Sequence, residues 1–254
     1  MNLNSYLSRI EIEKIKEPSL NFLSELQNKH LLSIPFEDLD IPDRNRIELD
    51  LQKIYQKIIP SKRGGFCYEL NGLFHWLLIS LGFNVEMLSA RVYNSHSNEF
   101  GPEFDHMTLL VHLEKDYLTD VGFGDSFRIP IEMPEGDCQD VSGHYRIIKK
   151  GIELFELQRE NGVDWEIQYS FSTIPRNFSD YKKMCAFQQD NPASHFRTRM
   201  LCTIATEKGR VTLSNNSFTI SEKGKKKREE LKSKEEFDFF LKKYFGIVLP
   251  DIRN

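Results

Sequence analysis

The chain has 254 residues, with 34 Lys or Arg against 38 Asp or Glu and a formal net charge of -4. That length suits one large domain or two to three small ones sharing an interface, with enough core to fold without disulfides or structural metals. With 39% hydrophobic residues, 28% charged residues and 19 Phe, the composition excludes disorder, no stretch reaches the roughly 20 apolar residues of a membrane span, and the mild acidity gives no reason to expect nucleic acid.

Near the N-terminus, Arg9, Glu11, Glu13, Lys14 and Lys16 stand where a signal peptide needs an apolar core, so a soluble cytoplasmic protein is expected. The first 83 residues read as helical. Ser19 can cap a segment carrying Leu20, Leu23, Leu26, Leu31 and Leu32, and Ile34-Pro35-Phe36 breaks it. From Cys67 onward Leu70, Leu73, Phe74, Leu77, Leu78 and Leu81 recur at helical spacing, and Gly82 suits the helix end.

After Gly82 the period becomes two. Strands are predicted over Val85–Tyr93, Met107–Leu113, Tyr117–Val121, Tyr145–Lys149, Ile152–Gln158 and Val163–Phe171, with Asn161-Gly162 as a hairpin turn. A helix over Phe178–Gln189 and a hairpin of Thr198–Thr206 with Arg210–Ile220 follow, then a helix from about Ser233 to Phe245. The mixed-charge run Glu222–Glu236 reads as a solvated turn and helix start, with weak contact to phosphates as a lesser reading. Helices first, strands next and a mixed tail give an α+β fold, its strands forming an antiparallel open sheet or small barrel.

Four cysteines, at 67, 138, 185 and 202, form no C-x-x-C pair, so neither a zinc site nor a redox pair is expected. Cys67 differs from the other three. It follows Arg63-Gly64-Gly65-Phe66 at the predicted start of that leucine-rich helix, where free N–H groups and the positive dipole end favour a thiolate. The bland reading is an inert buried thiol. A thiolate nucleophile works with a histidine oriented by a carboxylate. His106 opens one predicted strand and Asp120 ends the returning one, an even fourteen residues apart. An odd-numbered turn around Glu114-Lys115-Asp116 would place both on one face. The Gly122-Phe123-Gly124 turn that follows lacks the third glycine of a dinucleotide fingerprint, and no P-loop, H-E-x-x-H or calcium loop is present.

These segments resemble the arylamine N-acetyltransferase family. Arg63-Gly64-Gly65-Phe66-Cys67, the later His106 and Asp120-Val121-Gly122-Phe123-Gly124 carry the resemblance. Tyr6-Leu7-Ser8-Arg9-Ile10, Ile34-Pro35-Phe36-Glu37-Asp38-Leu39, Asn191-Pro192-Ala193-Ser194-His195-Phe196 and Phe245-Gly246-Ile247 extend it in order along the chain. The resemblance implies a helical N-terminal bundle over 1–83 bearing the nucleophile, a central antiparallel β-barrel over 84–190 bearing the histidine and aspartate, and a C-terminal α/β lid over 191–254, around a cysteine-protease-like Cys-His-Asp core. It implies catalysis by Cys67, His106 and Asp120 and ping-pong transfer from acetyl-CoA, as cosubstrate, to an arylamine, arylhydroxylamine or arylhydrazine, with no metal. Phe36 and Phe123 match residues lining the acceptor pocket, Phe123 and Gly124 are the candidates for CoA contact, and Arg63 with Glu37 matches a buried ion pair supporting the cysteine loop. Pro102-Glu103-Phe104-Asp105 departs from the Thr-Gly that some members carry before the histidine, and the short tail resembles bacterial members. Two other readings of the residues stay open: a Cys-His-Asp hydrolase or transglutaminase-type enzyme, and a non-catalytic relative that binds through the same cleft.

Overall fold

The computed structural model describes residues 1–42, 45–192 and 194–249, so Ala193 of the Asn191–Phe196 segment lies outside the described residues. Helices α1 (Leu3–Arg9), α2 (Leu20–Ser33), α3 (Leu51–Ile58) and α4 (Cys67–Ser80) form the N-terminal bundle. Ser19 caps α2 as expected, its Oγ accepting from the Phe22 N–H at 3.3 Å. Helix α4 is apolar nearly all round because it is packed on both sides, by α1 and α3 and by the barrel. Leu70, Leu73, Phe74, Leu77 and Leu78 are fully buried there, and Gly82 ends the segment at φ +86.

The short strand β1 (Phe36–Glu37) precedes α3. The barrel follows α4: β2 (Asn84–Asn94), β3 (Glu99–Phe100), β4 (His106–His112), β5 (Asp116–Thr119), β6 (Ile131–Glu132), β7 (Asp137–Asp140), β8 (Gly143–Lys149), β9 (Leu154–Asn161) and β10 (Asp164–Arg176). These strands pair antiparallel in the order β6-β5-β4-β2-β10-β9-β8-β7, with β3 added to β2, and curl into a nearly closed barrel. Its interior is filled by Leu88, Leu110, Leu118, Phe127, Tyr145, Leu157 and Phe171. The Asn161-Gly162 turn joins β9 to β10, with Gly162 at φ +68.

Helix α5 (Lys182–Asp190) leads to β11 (Leu201–Thr206), β12 (Gly209–Ser214), β13 (Ser217–Glu222), β14 (Lys225–Glu230) and α6 (Lys234–Phe245). The second sheet runs β1-β11-β12-β13-β14, and α6 packs on it through Phe237, Leu241 and Phe245. The architecture is α+β, as expected. Among the described residues no helix is long and apolar enough to cross a membrane.

Three local expectations need correction. The Ile34-Pro35-Phe36 break does not simply end a helix: Phe36 and Glu37 pair with Thr203 and Cys202, so the N-terminal segment contributes a strand to the C-terminal sheet. The run Glu222–Glu236 is not only a turn and helix start, because Lys225–Glu230 pairs along all of β13. Its six side chains are all exposed, which suits an edge strand whose charges oppose further pairing. The strand expected from Thr198 begins only at Leu201, after a 3-10 turn over His195–Arg197.

Leu73 stands where bundle and barrel share one core. Leu73→Ala should cost about 2–5 kcal/mol, read as a lower urea midpoint with an unchanged slope.

Candidate active site

The loop before Cys67 is shaped by close contact with the segment around Phe36. A Cβ on Gly64 would collide with the Pro35 carbonyl oxygen, so only glycine fits there. The Glu37 N–H donates to the Gly65 carbonyl at 2.9 Å, and Phe36 forms a bridge with Gly65. Helix α4 then starts at Cys67, and Glu69 Oε2 reaches back to accept from the Phe66 N–H at 3.1 Å.

Beneath this loop lies a network of buried charges. Arg63 Nε donates to Glu37 Oε1 at 2.9 Å, the ion pair expected from the sequence, and Arg63 Nη2 also reaches Asp40 Oδ1 at 3.0 Å. Lys57 Nζ adds Asp40 Oδ2 at 2.8 Å and both oxygens of Glu69 at 3.0 Å. Lys57 gains from all three carboxylates, and its pKa is raised despite burial. Each carboxylate holds only a share of the cations and repels the others. Burial, with Glu37 nearby, therefore pushes Glu69 up to about 7 although Lys57 opposes it.

His106 opens β4 and Asp120 follows β5. Leu113, Glu114 and Lys115 lie between the last pair, His112 and Asp116. This odd count places His106 and Asp120 on one face, as the parity argument requires. His106 Nε2 lies 2.7 Å from Asp120 Oδ2. Asp120 also accepts from Tyr169 Oη at 3.1 Å, Asn71 Nδ2 at 2.9 Å and the Gly122 N–H at 2.8 Å. Burial alone would raise Asp120, but the His106 ring and these donors hold its carboxyl below the usual range. An ionised carboxylate only accepts, so Nε2 of His106 carries the proton and Nδ1 is the ring nitrogen left for other chemistry.

Gly122 brings this group against the nucleophile helix. A Cβ there would stand 2.9 Å from Cys67 Cα and 2.6 Å from Asn71 Nδ2. Phe123 is half-buried, its ring 5.2 Å from His106 and 5.1 Å from Tyr169 between centroids. Phe36 and Thr203 both pack beside Gly124, which has φ +89. The structure thus gathers Cys67, His106, Asp120, Phe36, Phe123 and Gly124 around one turn.

Cys67 itself departs from expectation. Burial, joined by Asp105, Cys185 and Asp120, pushes its thiol up, and the Tyr68 N–H at the helix start opposes this without overcoming it. At this thiol the effect of the helix start is thus opposed by burial. The other cysteines fit inert packing, with Cys185 pushed up by burial to about 12. Among the described residues no His, Cys, Asp and Glu cluster could hold a metal.

Sequence reasoning missed two supports. Asn71 lies four residues after Cys67, on the same helix face, and donates to both Asp120 and the Met107 carbonyl; helical spacing alone would find it. Tyr169 has no such signal, since it reaches Asp120 only through the pairing of β10 with β2.

The family model described as N-acetyltransferase matches residues 19–253. The chain is 35% identical over 226 residues to the arylamine N-acetyltransferase of Escherichia coli (strain K12), covering 87% of this chain and 80% of that one. Its structure is similar to an arylamine N-acetyltransferase from Bacillus cereus described as having a unique Cys-His-Glu catalytic triad, with TM-score 0.90, 27% identity, and coverage of 98% and 100%. It is also similar to the Mycobacterium marinum arylamine N-acetyltransferase in complex with CoA, with TM-score 0.89, 29% identity, and coverage of 97% and 93%.

The charge network generates a pH prediction. Glu69 has a folded pKa near 7, above its unfolded value, so the stability it contributes is complete at low pH and is lost as pH rises through 7. Glu69→Gln keeps an acceptor for the Phe66 N–H and removes the titration. Relative to wild type, the variant should gain a few kcal/mol between about pH 5 and 8, measured as the difference in urea unfolding free energy. The difference isolates Glu69 from His30, which burial pulls down to about 3 and which titrates in the opposite sense.

Proposed function

The chain belongs to the arylamine N-acetyltransferase family, and on that premise we propose that it moves an acetyl group from acetyl-CoA to Cys67 and then to an arylamine, arylhydroxylamine or arylhydrazine. The observation that carries this reading is the Asp120–His106 pair at 2.7 Å, held by the Gly122 turn against the helix that begins with Cys67.

The thiol is pushed up by burial, so the attacking thiolate arises as an ion pair. Cys67 gives its proton to Nδ1 of His106, and Asp120 stabilises the resulting imidazolium through Nε2. The thiolate attacks the thioester carbonyl of the donor. The C–S bond to CoA breaks, CoA leaves with the proton from His106, and acetyl-Cys67 remains. The acceptor amine then attacks the same carbonyl carbon and loses its proton to His106. Cys67 departs as thiolate and recovers the ion pair. The Cys67 N–H is the first of α4, where the helix's own carbonyls leave donors unused, and is the candidate donor to the oxyanion.

The CoA complex of the Mycobacterium marinum relative supports CoA as the leaving cosubstrate. Phe36 and Phe123 supply aromatic walls suited to a flat ring, and Phe123 with Gly124 stands where the CoA thioester would arrive. Position 120 carries Asp here, while the Bacillus cereus relative is described with Glu in its triad.

Intact-mass analysis after mixing with acetyl-CoA alone should show one acetyl group, mapped to Cys67 and lost on adding aniline. Cys67→Ala should abolish the adduct and leave the fold intact. His106→Ala should slow iodoacetamide alkylation of Cys67 at neutral pH by about 100-fold, and an unchanged rate would remove His106 from the ion pair.

A further inference from the structure

The turn that leads into β4 is tied both to the nucleophile helix and to α5. Tyr68, the residue after Cys67, donates from Oη to the Phe104 carbonyl at 2.7 Å and to the Asp105 carbonyl at 3.2 Å. The Phe104 N–H donates to Ser89 Oγ at 2.8 Å. Phe104 has φ +67, a left-handed conformation that a bulky residue keeps only where its surroundings hold it. Gln188 Nε2, from α5, donates to Asp105 Oδ1 at 2.7 Å, and Gln188 Oε1 accepts from Ser194 Oγ at 2.8 Å. A Cβ on Gly101 would stand 2.4 Å from Asp105 Oδ2, so the carboxyl fills the space that this glycine leaves.

The Asp105 carboxyl so held is half-buried, and among the described residues no Lys or Arg forms an ion pair with it. Burial pushes its pKa up, against the opposing effects of the His106 and His195 rings, a Val92 main-chain hydrogen bond and Gln188. Its charge also acts on the nucleophile. After burial itself, Asp105 contributes most to pushing the Cys67 thiol up, ahead of Cys185 and Asp120. Asp120 spends its charge on the His106 ring and three neutral donors. Burial pulls His195 down, so this ring is neutral at mildly alkaline pH and leaves the Asp105 charge unanswered.

An acceptor amine has to enter this field. Nε2 of His106 faces Asp120, so the proton of the attacking amine goes to Nδ1. Nδ1 is bonded to the ring carbon that carries the side chain, which makes it the ring nitrogen nearer the main chain, and Asp105 immediately precedes His106 on that main chain. The amine must reach Nδ1 and the acetyl carbon on Cys67 together. Asp105 acts on both Cys67 and His106, so the molecule placed between them feels its charge. Asp105 also belongs to the segment 102–105 that departs from the Thr-Gly some family members carry before the histidine.

We propose that Asp105 is a specificity-determining residue for the second half of the reaction: it admits neutral and cationic aromatic amines to acetyl-Cys67 and turns away those that carry a carboxylate. The proposal rests on the acetyl-CoA reading above and adds to it the charge class of the acceptor. Two unit negative charges about 8 Å apart, at an effective dielectric constant near 20, repel strongly enough to slow a reaction about tenfold or more.

The test is single-turnover loss of the acetyl group from preformed acetyl-Cys67 at about pH 8, read by intact mass with 4-aminobenzoate and with the neutral 4-aminobenzamide. No donor takes part in this step, and comparing each variant with wild type cancels the intrinsic reactivity of the two amines. Asp105→Asn keeps an acceptor for Gln188 and removes the charge. It should raise the 4-aminobenzoate rate relative to the 4-aminobenzamide rate about tenfold. Asp105→Ser should shift the ratio in the same direction, and it keeps the test available if asparagine disturbs the turn. Glu103→Gln is the charge control, since Glu103 is exposed and already paired with Arg176 at 2.7 Å; its ratio should stay that of wild type. An unchanged ratio in both Asp105 variants, an equal fall in rate for both amines, or the same shift in Glu103→Gln overturns the proposal. Acetylation of wild-type Cys67 by acetyl-CoA separates the two levels. If it occurs and the ratio does not move, only the role of Asp105 fails; if it does not occur, the transferase reading fails and takes this role with it.

Discussion

Asp120 keeps a negative charge where water is excluded, and the arrangement around it follows from that constraint. A carboxylate has about four lone-pair positions. Oδ1 receives Asn71 and the Gly122 N–H, and Oδ2 receives His106 and Tyr169. The donors come from α4, the turn after β5, the first residue of β4 and the middle of β10. Satisfying one buried ion therefore fixes the helical bundle against the barrel, sets the tautomer of His106 and lays Gly122 on the first turn of α4. The absence of a Cβ at Gly122 belongs to the same solution, since a methyl group there would force the nucleophile away from the carboxylate.

The nucleophile loop meets the same problem by another route. Glu37, Asp40 and Glu69 share Lys57 and Arg63, so three carboxylates face two cations. Burial raises both carboxyls; at Asp120 the His106 ring and the donors around it outweigh burial, whereas at Glu69 Lys57 does not and the group stays near 7. Such a network is weak as a source of net stability, because desolvation consumes most of the Coulombic gain. Its effect is geometric: it joins α3, β1 and the start of α4 under the glycine loop that presents Cys67.

What could be read from the sequence was whatever a short window encodes. The period of α4 is carried by its own leucines, and the parity of the β4–β5 hairpin is set by three turn residues, so Cys67, His106 and Asp120 could be named and placed on faces. Pairings between distant segments are not encoded that way. Phe36 and Glu37 become a strand only because β11, more than 160 residues later, presents a free edge. Tyr169 reaches Asp120 through the pairing of β10 with β2, where it stands opposite Val92. The charged run at Lys225–Glu230 has low intrinsic strand preference, and the open edge of β13 decides its conformation. At Cys67 the helix start is a local signal, whereas the burial that pushes its thiol up is tertiary.

The two contacts made by the barrel differ in kind, and the difference bears on function. Against the bundle it shares an apolar core in which Leu70, Leu73, Phe74, Met107 and Leu109 are fully buried. That contact is suited to holding His106 and Asp120 in place. Against the C-terminal sheet it meets threonines, serines and arginines, with several polar atoms unpaired. Close packing resists intrusion, whereas a polar seam with unmet donors is favourable to a polar molecule that supplies acceptors. In this chain the Gly122–Gly124 turn lies between them, touching Cys67 on one side and Thr203 on the other.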